Sequence, residues 1–296
     1  MSARPRRSAL FMPASNPRAM EKAKGLASDV VIFDLEDAVA PEAKPAARAA
    51  AAEAVRGGGF GRRELVIRCN GLDTPWGAED LAAAASAGPD AILVPKVGGP
   101  ADIAAYDKAI AGAPAGTGLW AMIETAAAVI DLPAIAAARK TSRLACWVMG
   151  LNDLSKEMRC RQTPDRGPML SVLTTAVAAA RAYDLCILDS VFNAIDDGEG
   201  FEAACHQGVD FGFDGKTLIH PSQVEPANRL FSPSEDEVAW AGAVIAAFAD
   251  PENAGRGAIR VEGRMAERLH LSQAERLIET VEAIAALAAD GGSPAP

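Results

Sequence analysis

Eight short apolar runs, each followed by a longer alanine-rich stretch, set the strongest limit on what this chain can become. The runs are SALFMPA (8–14), VVIFDLED (30–37), ELVIRCN (64–70) and AILVPKV (91–97), then GLWAMIE (118–124), LACWVMG (144–150), LCILDSV (185–191) and DFGFDGK (210–216). Their character is apolar almost throughout rather than alternating, as in strands covered on both faces. Strands alternating with helical segments define a parallel α/β fold. Helical patterns fall near 17–27, 44–56, 76–87, 100–111, 126–139, 170–183, 199–207 and 221–230. Eight βα units completed by residue 230 predict a (β/α)8 TIM barrel, a fold of typically ~250 residues. A doubly wound open sheet is the other arrangement, but no G-x-G-x-x-G follows an early strand.

The pattern changes after residue 231. SPSEDEVAWAGAVIAAFA (232–249) opens with capping residues and continues as an amphipathic helix. PENAGRG (251–257) reads as a linker, AIRVEGRM follows it, and a last helix is expected near 271–289. The expected organisation is a barrel over 1–231 and a C-terminal helical extension over 232–296, with a disordered tail from 291.

Charge and cysteine usage narrow the function. A net charge of −10 and a pI near 4.9 exclude general nucleic-acid binding, which requires a basic face. The N-terminus departs from that balance: Arg4, Arg6, Arg7, Arg18, Lys22 and Lys24 face Glu21 alone within residues 1–24. Such a patch suits a polyanionic ligand or a solvated tail, and the tail is the expectation for Arg4, Arg6 and Arg7. Five cysteines without a CxxC pair and three separated histidines form neither a disulfide framework nor a zinc site. No run approaches the ~18–20 apolar residues of a membrane span. A soluble cytoplasmic protein is expected.

Catalytic residues of such barrels collect at the C-terminal ends of the strands. Those positions hold Pro13 and Ser15, Glu36 and Asp37, Arg68 and Asn70, Lys96, Glu124, Asp153, Asp189 and Lys216. Glu124 and Asp153 close two consecutive runs, so their carboxylates reach the same end of neighbouring strands. They suit a hard cation such as Mg2+ that keeps open positions, or else a helix cap and a turn. Arg68 offers forked donors to a bound carboxylate, or pairs with Glu36 or Asp37. Lys96 and Lys216 each read as a Schiff-base amine or a member of a salt-bridge network. His220 reads as a structural hydrogen-bonded group ahead of the helix at Pro221.

The segments ALFMPASNPRAMEKA, FDLEDAVAPEAKPAAR, IRCNGLDTPW, VPKV, MIETAAAV, GLNDL and GKTLIHPSQVEPAN resemble, in order, the citrate lyase β-subunit-like (CitE-like) family of the HpcH/HpaI aldolase superfamily. Malyl-CoA and citramalyl-CoA lyases belong to the same group. The resemblance runs from about residue 6 to 285 and implies a barrel assembled as a homotrimer or hexamer. It implies Glu124 and Asp153 as Mg2+ ligands and Arg68 as the residue that holds the carboxylate of the 2-oxo acid. Glu36 and Asp37 match the acids beside the metal, and Arg18, Lys24 and Lys44 are candidates for the CoA phosphates. The implied reaction is reversible carbon–carbon cleavage of a 3-hydroxyacyl-CoA, such as malyl-, methylmalyl- or citramalyl-CoA. It yields an acyl-CoA and a 2-oxo acid: glyoxylate, pyruvate or oxaloacetate. A citrate lyase β-subunit working with α and carrier-protein subunits is an alternative, as is a thioesterase or a non-catalytic 2-oxo-acid-binding relative.

Two departures bear on that expectation. CoA lyases of the group carry G-[KR]-x-x-D in a C-terminal segment that reaches a neighbouring subunit and protonates the enolate. The matching segment, GRMAE, holds Glu267 at the acid position. The added methylene lengthens the arm, and a misplacement of ~1 Å can cost ~100-fold in rate. The stretch after Asp153 is also short, as in the smaller CitE-like enzymes rather than the larger malyl-CoA lyases.

Overall fold

The computed structural model describes residues 4–291, which divide into two compact units. Residues 6–230 form a closed parallel barrel in sequential order. Its first half runs β1 (Ser8–Pro13), α1 (Pro17–Ala23), β2 (Val30–Asp34), α2 (Lys44–Gly57), β3 (Glu64–Arg68), α3 (Gly77–Ala87), β4 (Ala91–Val94) and α4 (Pro100–Ala109). The second half runs β5 (Gly118–Ile123), α5 (Ala126–Ile130), α6 (Leu132–Ala137), β6 (Leu144–Met149), α7 (Leu151–Met158), α8 (Leu170–Ala182), β7 (Cys186–Asp189), α9 (Gly198–Phe211), β8 (Gly215–Leu218) and α10 (Val224–Leu230). Every neighbouring pair is parallel, and β8 closes on β1 through Ser8 and Lys216.

The apolar runs become strands because both faces are covered. Val30, Ile32, Val66, Leu93, Trp120 and Val148 fill the barrel interior, while Val31, Phe33, Ile67 and Ile92 are equally buried on the opposite face. Full burial of each such side chain is worth ~1.5–3 kcal/mol. Local signals set the helix ends: Asn16 accepts from the Ala19 N–H to cap α1, and Pro17 follows at its first position.

Two expectations are corrected. The eighth strand is Gly215–Leu218, not 210–216. Phe211 still belongs to α9, which ends at Gly212 in the left-handed region (φ 88°). Arg6 and Arg7 do not belong to a solvated tail. Arg6 grips Glu64 through two hydrogen bonds of 2.6 and 2.8 Å, and Arg7 grips both oxygens of Asp29 at 2.7 and 2.8 Å. Arg6, Arg7 and Asp29 precede their strands and Glu64 opens β3, so both pairs lie at the end of the barrel opposite its mouth.

The other unit, from residue 231 onward with Arg4 and Pro5, contains α11 (Glu235–Ala249), a hairpin of β9 (Ala258–Val261) and β10 (Arg264–Glu267), and α12 (Arg268–Gly291). Ser234 and Glu237 form a capping box at the start of α11. Positive φ at Glu262 and Gly263 (46° and 83°) makes the two-residue turn that suits the twist of a hairpin. Ala241, Val244, Ile259, Val261, Ala266 and Ala274 form this unit's own core. The expected tail falls mainly on 292–296, outside the described residues. Among the described residues no helix is long and apolar enough to cross a membrane.

Candidate active site

Strand register brings the acids and the arginine together. Asp34 and Arg68 end adjacent strands as register partners, so their side chains meet inside the barrel. Asp34 accepts from Arg68 Nε and Nη2 at 2.6 Å each. The same carboxylate accepts the backbone N–H groups of Glu36 and Ala38 at 2.9 and 3.1 Å, which folds the loop after β2 around it. Arg68 Nη1 lies 2.9 Å from Glu36 and 3.4 Å from Asp37, and the guanidinium stacks 4.7 Å from the centre of the Phe11 ring. Burial works against the Arg68 charge, but Asp34 and then Glu36 and Asp37 hold its pKa above the ordinary value.

Glu124 follows β5 and is 2 % exposed. Its Oε1 accepts from the Lys96 backbone N–H at 2.8 Å. Lys96 holds a left-handed backbone (φ 52°) rare for a residue with a side chain, a form of strain found at functional sites. Asp153 lies in the first turn of α7, half-buried, where the positive helix end favours an anion. Gly150 is obligatory beside them: a Cβ there would stand 2.5 Å from both Cβ and Oε2 of Glu124. Glu124, Asp153, Asp34 and Arg68 all line one cavity of about 290 Å³, whose other wall carries Phe11, Met122, Met149 and Val191.

The charge of this mouth is unbalanced. Burial pushes the Glu124 carboxyl up to about 7, opposed by the Lys96 N–H and reinforced by Asp153. Burial also pushes Glu36 up to about 7, with Arg68 opposing and Asp37 and Glu124 adding to the rise. Lys96 Nζ, 3.8 Å from Glu36, is held above its usual pKa: partial burial opposes its charge, but Glu36 and Asp153 outweigh it. Carboxylates sharing a confined cavity suit a hard divalent cation. Mg2+ commonly takes one or two protein carboxylates and completes its shell with water or substrate oxygens. Glu124 and Asp153 fit that role. Among the described residues no set of three or more metal-binding side chains converges, so the remaining ligands would come from solvent and substrate.

Other candidates stand elsewhere. Lys44, expected at CoA phosphates, is 5 % exposed, and its ammonium donates to Leu35 O, Glu36 O and Asn70 Oδ1 at 2.8 Å each. With all three protons committed it is a structural cation that pins the loop after β2. Lys24, expected there too, follows the C-terminal end of α1, pairs with Glu21 at 2.7 Å and lies 5.7 Å over the Phe60 ring in the loop before β3. Helices of a βα unit run back down the barrel, so Lys24 is at the end opposite the mouth. Arg18, in the first turn of α1, is exposed on the mouth side. Glu267 ends β10 in the C-terminal unit, half-buried, and its backbone N–H donates to His270 Nδ1 at 2.9 Å. Asp189 and Lys216 form a buried pair at 2.8 Å that Arg166 joins, and His220 caps the turn at Pro221 through Ser222.

Sequence reading missed Asp34 and the helix α7. Reading the second strand through residue 37 put its end at Glu36 and Asp37. Extending the inward alternation of Val30 and Ile32 by two positions reaches Asp34.

The chain is thus a closed (β/α)8 barrel with paired carboxylates and an acid-clamped arginine at its mouth. The chain belongs to the HpcH/HpaI aldolase/citrate lyase family, whose pattern matches residues 7–221. It is 48 % identical over 287 residues to a (3S)-malyl-CoA thioesterase of Cereibacter sphaeroides, across 97 % of this chain and 98 % of that protein. It is 35 % identical over 310 residues to an L-malyl-CoA/beta-methylmalyl-CoA lyase of the same species, across 96 % and 97 %. The crystal structure of CitE from Mycobacterium tuberculosis with magnesium, acetoacetate and coenzyme A superposes with a TM-score of 0.75 at 31 % identity, covering 95 % of this chain and all of that one.

Proposed function

We propose that this protein is a Mg2+-dependent enzyme of malyl-CoA-type thioesters whose principal reaction is hydrolysis to the hydroxy acid and free CoA. The similarity to a (3S)-malyl-CoA thioesterase over nearly the whole of both chains carries this reading. Glutamate at position 267, where the lyases of the group have aspartate, supports it.

Glu124 and Asp153 would hold the Mg2+, which when bound supplies Lewis-acid polarisation of substrate oxygens. Arg68, fixed by Asp34, would meet the carboxylate of the hydroxy-acid end through its uncommitted Nη2 proton and in exchange for Glu36 and Asp37 at Nη1. Glu36, with a carboxyl near 7 beside Lys96, is poised to take or return a proton at the substrate hydroxyl. The thioester arm extends outward, with Arg18 available to the CoA phosphates. In hydrolysis a water oxygen bonds to the thioester carbonyl carbon, the C–S bond breaks, and the thiolate leaves as CoA with a proton. Glu267 is assigned as the base that takes the proton from that water. The active form is a homotrimer or hexamer in which the 232–296 extension supplies Glu267 to a neighbouring mouth.

Carbon–carbon cleavage is the second reading, favoured by the lyase relative. There the hydroxyl proton leaves, the C2–C3 bond breaks to give glyoxylate and an acetyl-CoA enolate, and Glu267 returns a proton to the enolate carbon. Purified protein with Mg2+ and (3S)-malyl-CoA separates the two. Free thiol with malate is expected, abolished in Glu267→Ala while Mg2+ affinity persists. Glyoxylate without free thiol would establish the second reading, and unchanged turnover of Glu267→Ala would remove that residue from the chemistry.

A further inference from the structure

Two thiols that the proposed chemistry does not use face each other inside the barrel. Cys146 on β6 and Cys186 at the start of β7 are register partners. Cys146 belongs to the interior cluster and Cys186 packs against it, so both side chains leave the sheet on the same face. Both are free thiols. Neighbouring strands stand ~4.8 Å apart, within the Cα separation of ~4.4–6.8 Å that a disulfide spans. The pair therefore meets the separation requirement without displacement of either strand.

The surroundings make the two thiols unequal. Cys146 is fully buried and its thiol is pushed well up by that burial, whereas Cys186 is half-buried. On its other side Cys146 is the register partner of Trp120, and the Arg6 guanidinium lies 5.0 Å over the Trp120 ring. Cys186, the more exposed of the two, is the thiol a small oxidant in solution reaches first. It opens β7 at the barrel end opposite the mouth, so its chemistry does not require the substrate cavity.

We propose that Cys146 and Cys186 form an oxidation site for hydroperoxides, with Cys186 as the attacking thiol and Cys146 as the resolving one. The Cys186 sulfur attacks one oxygen of hydrogen peroxide; the O–O bond breaks, the departing hydroxide takes the thiol proton and leaves as water, and a sulfenic acid forms. Cys146 sulfur then attacks the Cys186 sulfur, the S–O bond breaks, and the hydroxyl departs with the Cys146 proton as water. The sulfurs lose two electrons, and the peroxide oxygens gain them. A dithiol reductant reverses the step.

The test uses the full-length protein treated with hydrogen peroxide, followed by alkylation of remaining thiols, intact mass measurement and peptide mapping. The expected result is a protein that takes up two fewer alkyl groups than the reduced protein, a peptide cross-linked through residues 146 and 186, and recovery of both thiols with dithiothreitol. Tryptophan emission should change in step, because Trp120 adjoins Cys146. Cys186→Ser should give no cross-link. Cys146→Ser should leave a sulfenic acid on Cys186 that dimedone traps. Peroxide treatment that leaves both wild-type thiols alkylatable overturns the proposal, as does over-oxidation of Cys186 without a cross-link. The wild-type arm stands even if a serine variant fails to fold.

Discussion

Replacing Asp34 by asparagine isolates the interaction on which the mouth is built. Asp34 is 1 % exposed and Arg68 7 %, and two hydrogen bonds of 2.6 Å join them. Asparagine keeps the shape but removes the charge and one acceptor oxygen, leaving a buried guanidinium short of its main counter-ion. Breaking a buried ion pair from one side typically destabilises by ~3–5 kcal/mol. Glu36 stays 2.9 Å from Nη1 and supplies part of the lost compensation, which places the effect near the lower end, ~3 kcal/mol. At ~2–4 °C per kcal/mol for a domain of this size, Tm should fall by ~6–12 °C. Thermal unfolding followed by circular dichroism reads this directly, and Asp34→Asn/Arg68→Met should recover part of the loss because the orphaned charge is gone. A melting point within ~2 °C of wild type for Asp34→Asn would refute the assignment of Asp34 as the anchor of Arg68.

Gly150→Ala should leave the fold intact by far-UV circular dichroism yet lower turnover by ~100-fold or more, because the new Cβ displaces Glu124; Mg2+ titration by calorimetry should weaken in parallel, and wild-type values would contradict the placement. Asp189 governs stability in acid. Burial alone would raise its pKa, but Lys216 and Arg166 bring it below the usual carboxylate value. A depressed folded-state pKa contributes stability that is fully present above the unfolded pKa of ~3.9 and is lost as pH falls through the lower folded value. Denaturant midpoints measured from pH 6 down to pH 2 should therefore fall more steeply in wild type than in Asp189→Asn, and parallel curves would show that the pair does not contribute.

The barrel was legible because burial on both strand faces leaves long apolar runs that no surface strand needs. The eighth strand was misread for the same reason. DFGF is the apolar stretch, but Phe211 completes α9, whereas the strand GKTL hides a lysine that is 1 % exposed. Lys216 is tolerated there only because Asp189 lies 2.8 Å away on the next strand, and no local pattern records a partner 27 residues distant. The same limit applies to the mouth. Glu124 and Asp153 close apolar runs and could be found by position. The surroundings of Lys44 and Lys24 could not be read, since charge in a sequence carries no direction. Lys44 turns inward to three oxygens, and Lys24 lies at the C-terminal end of its helix over the Phe60 ring.

Under the proposed reading, what distinguishes hydrolysis from carbon–carbon cleavage does not reside in the half of the mouth that carries Glu124, Asp153 and Arg68. Both reactions need the hydroxy-acid end gripped by a cation and an arginine, and Glu124, Asp153 and the Asp34–Arg68 pair suit either. They diverge at the thioester end, where one route must activate a water against the carbonyl and the other must protonate an enolate carbon. A carboxylate can serve both, as a base in the first and an acid in the second, so its reach decides which atom it meets. Glutamate at 267 carries the same charge as the aspartate of the lyases on an arm one methylene longer. Glu267→Asp is therefore the more informative substitution than removal: under the proposed reading it shifts products from malate and free CoA toward glyoxylate and acetyl-CoA.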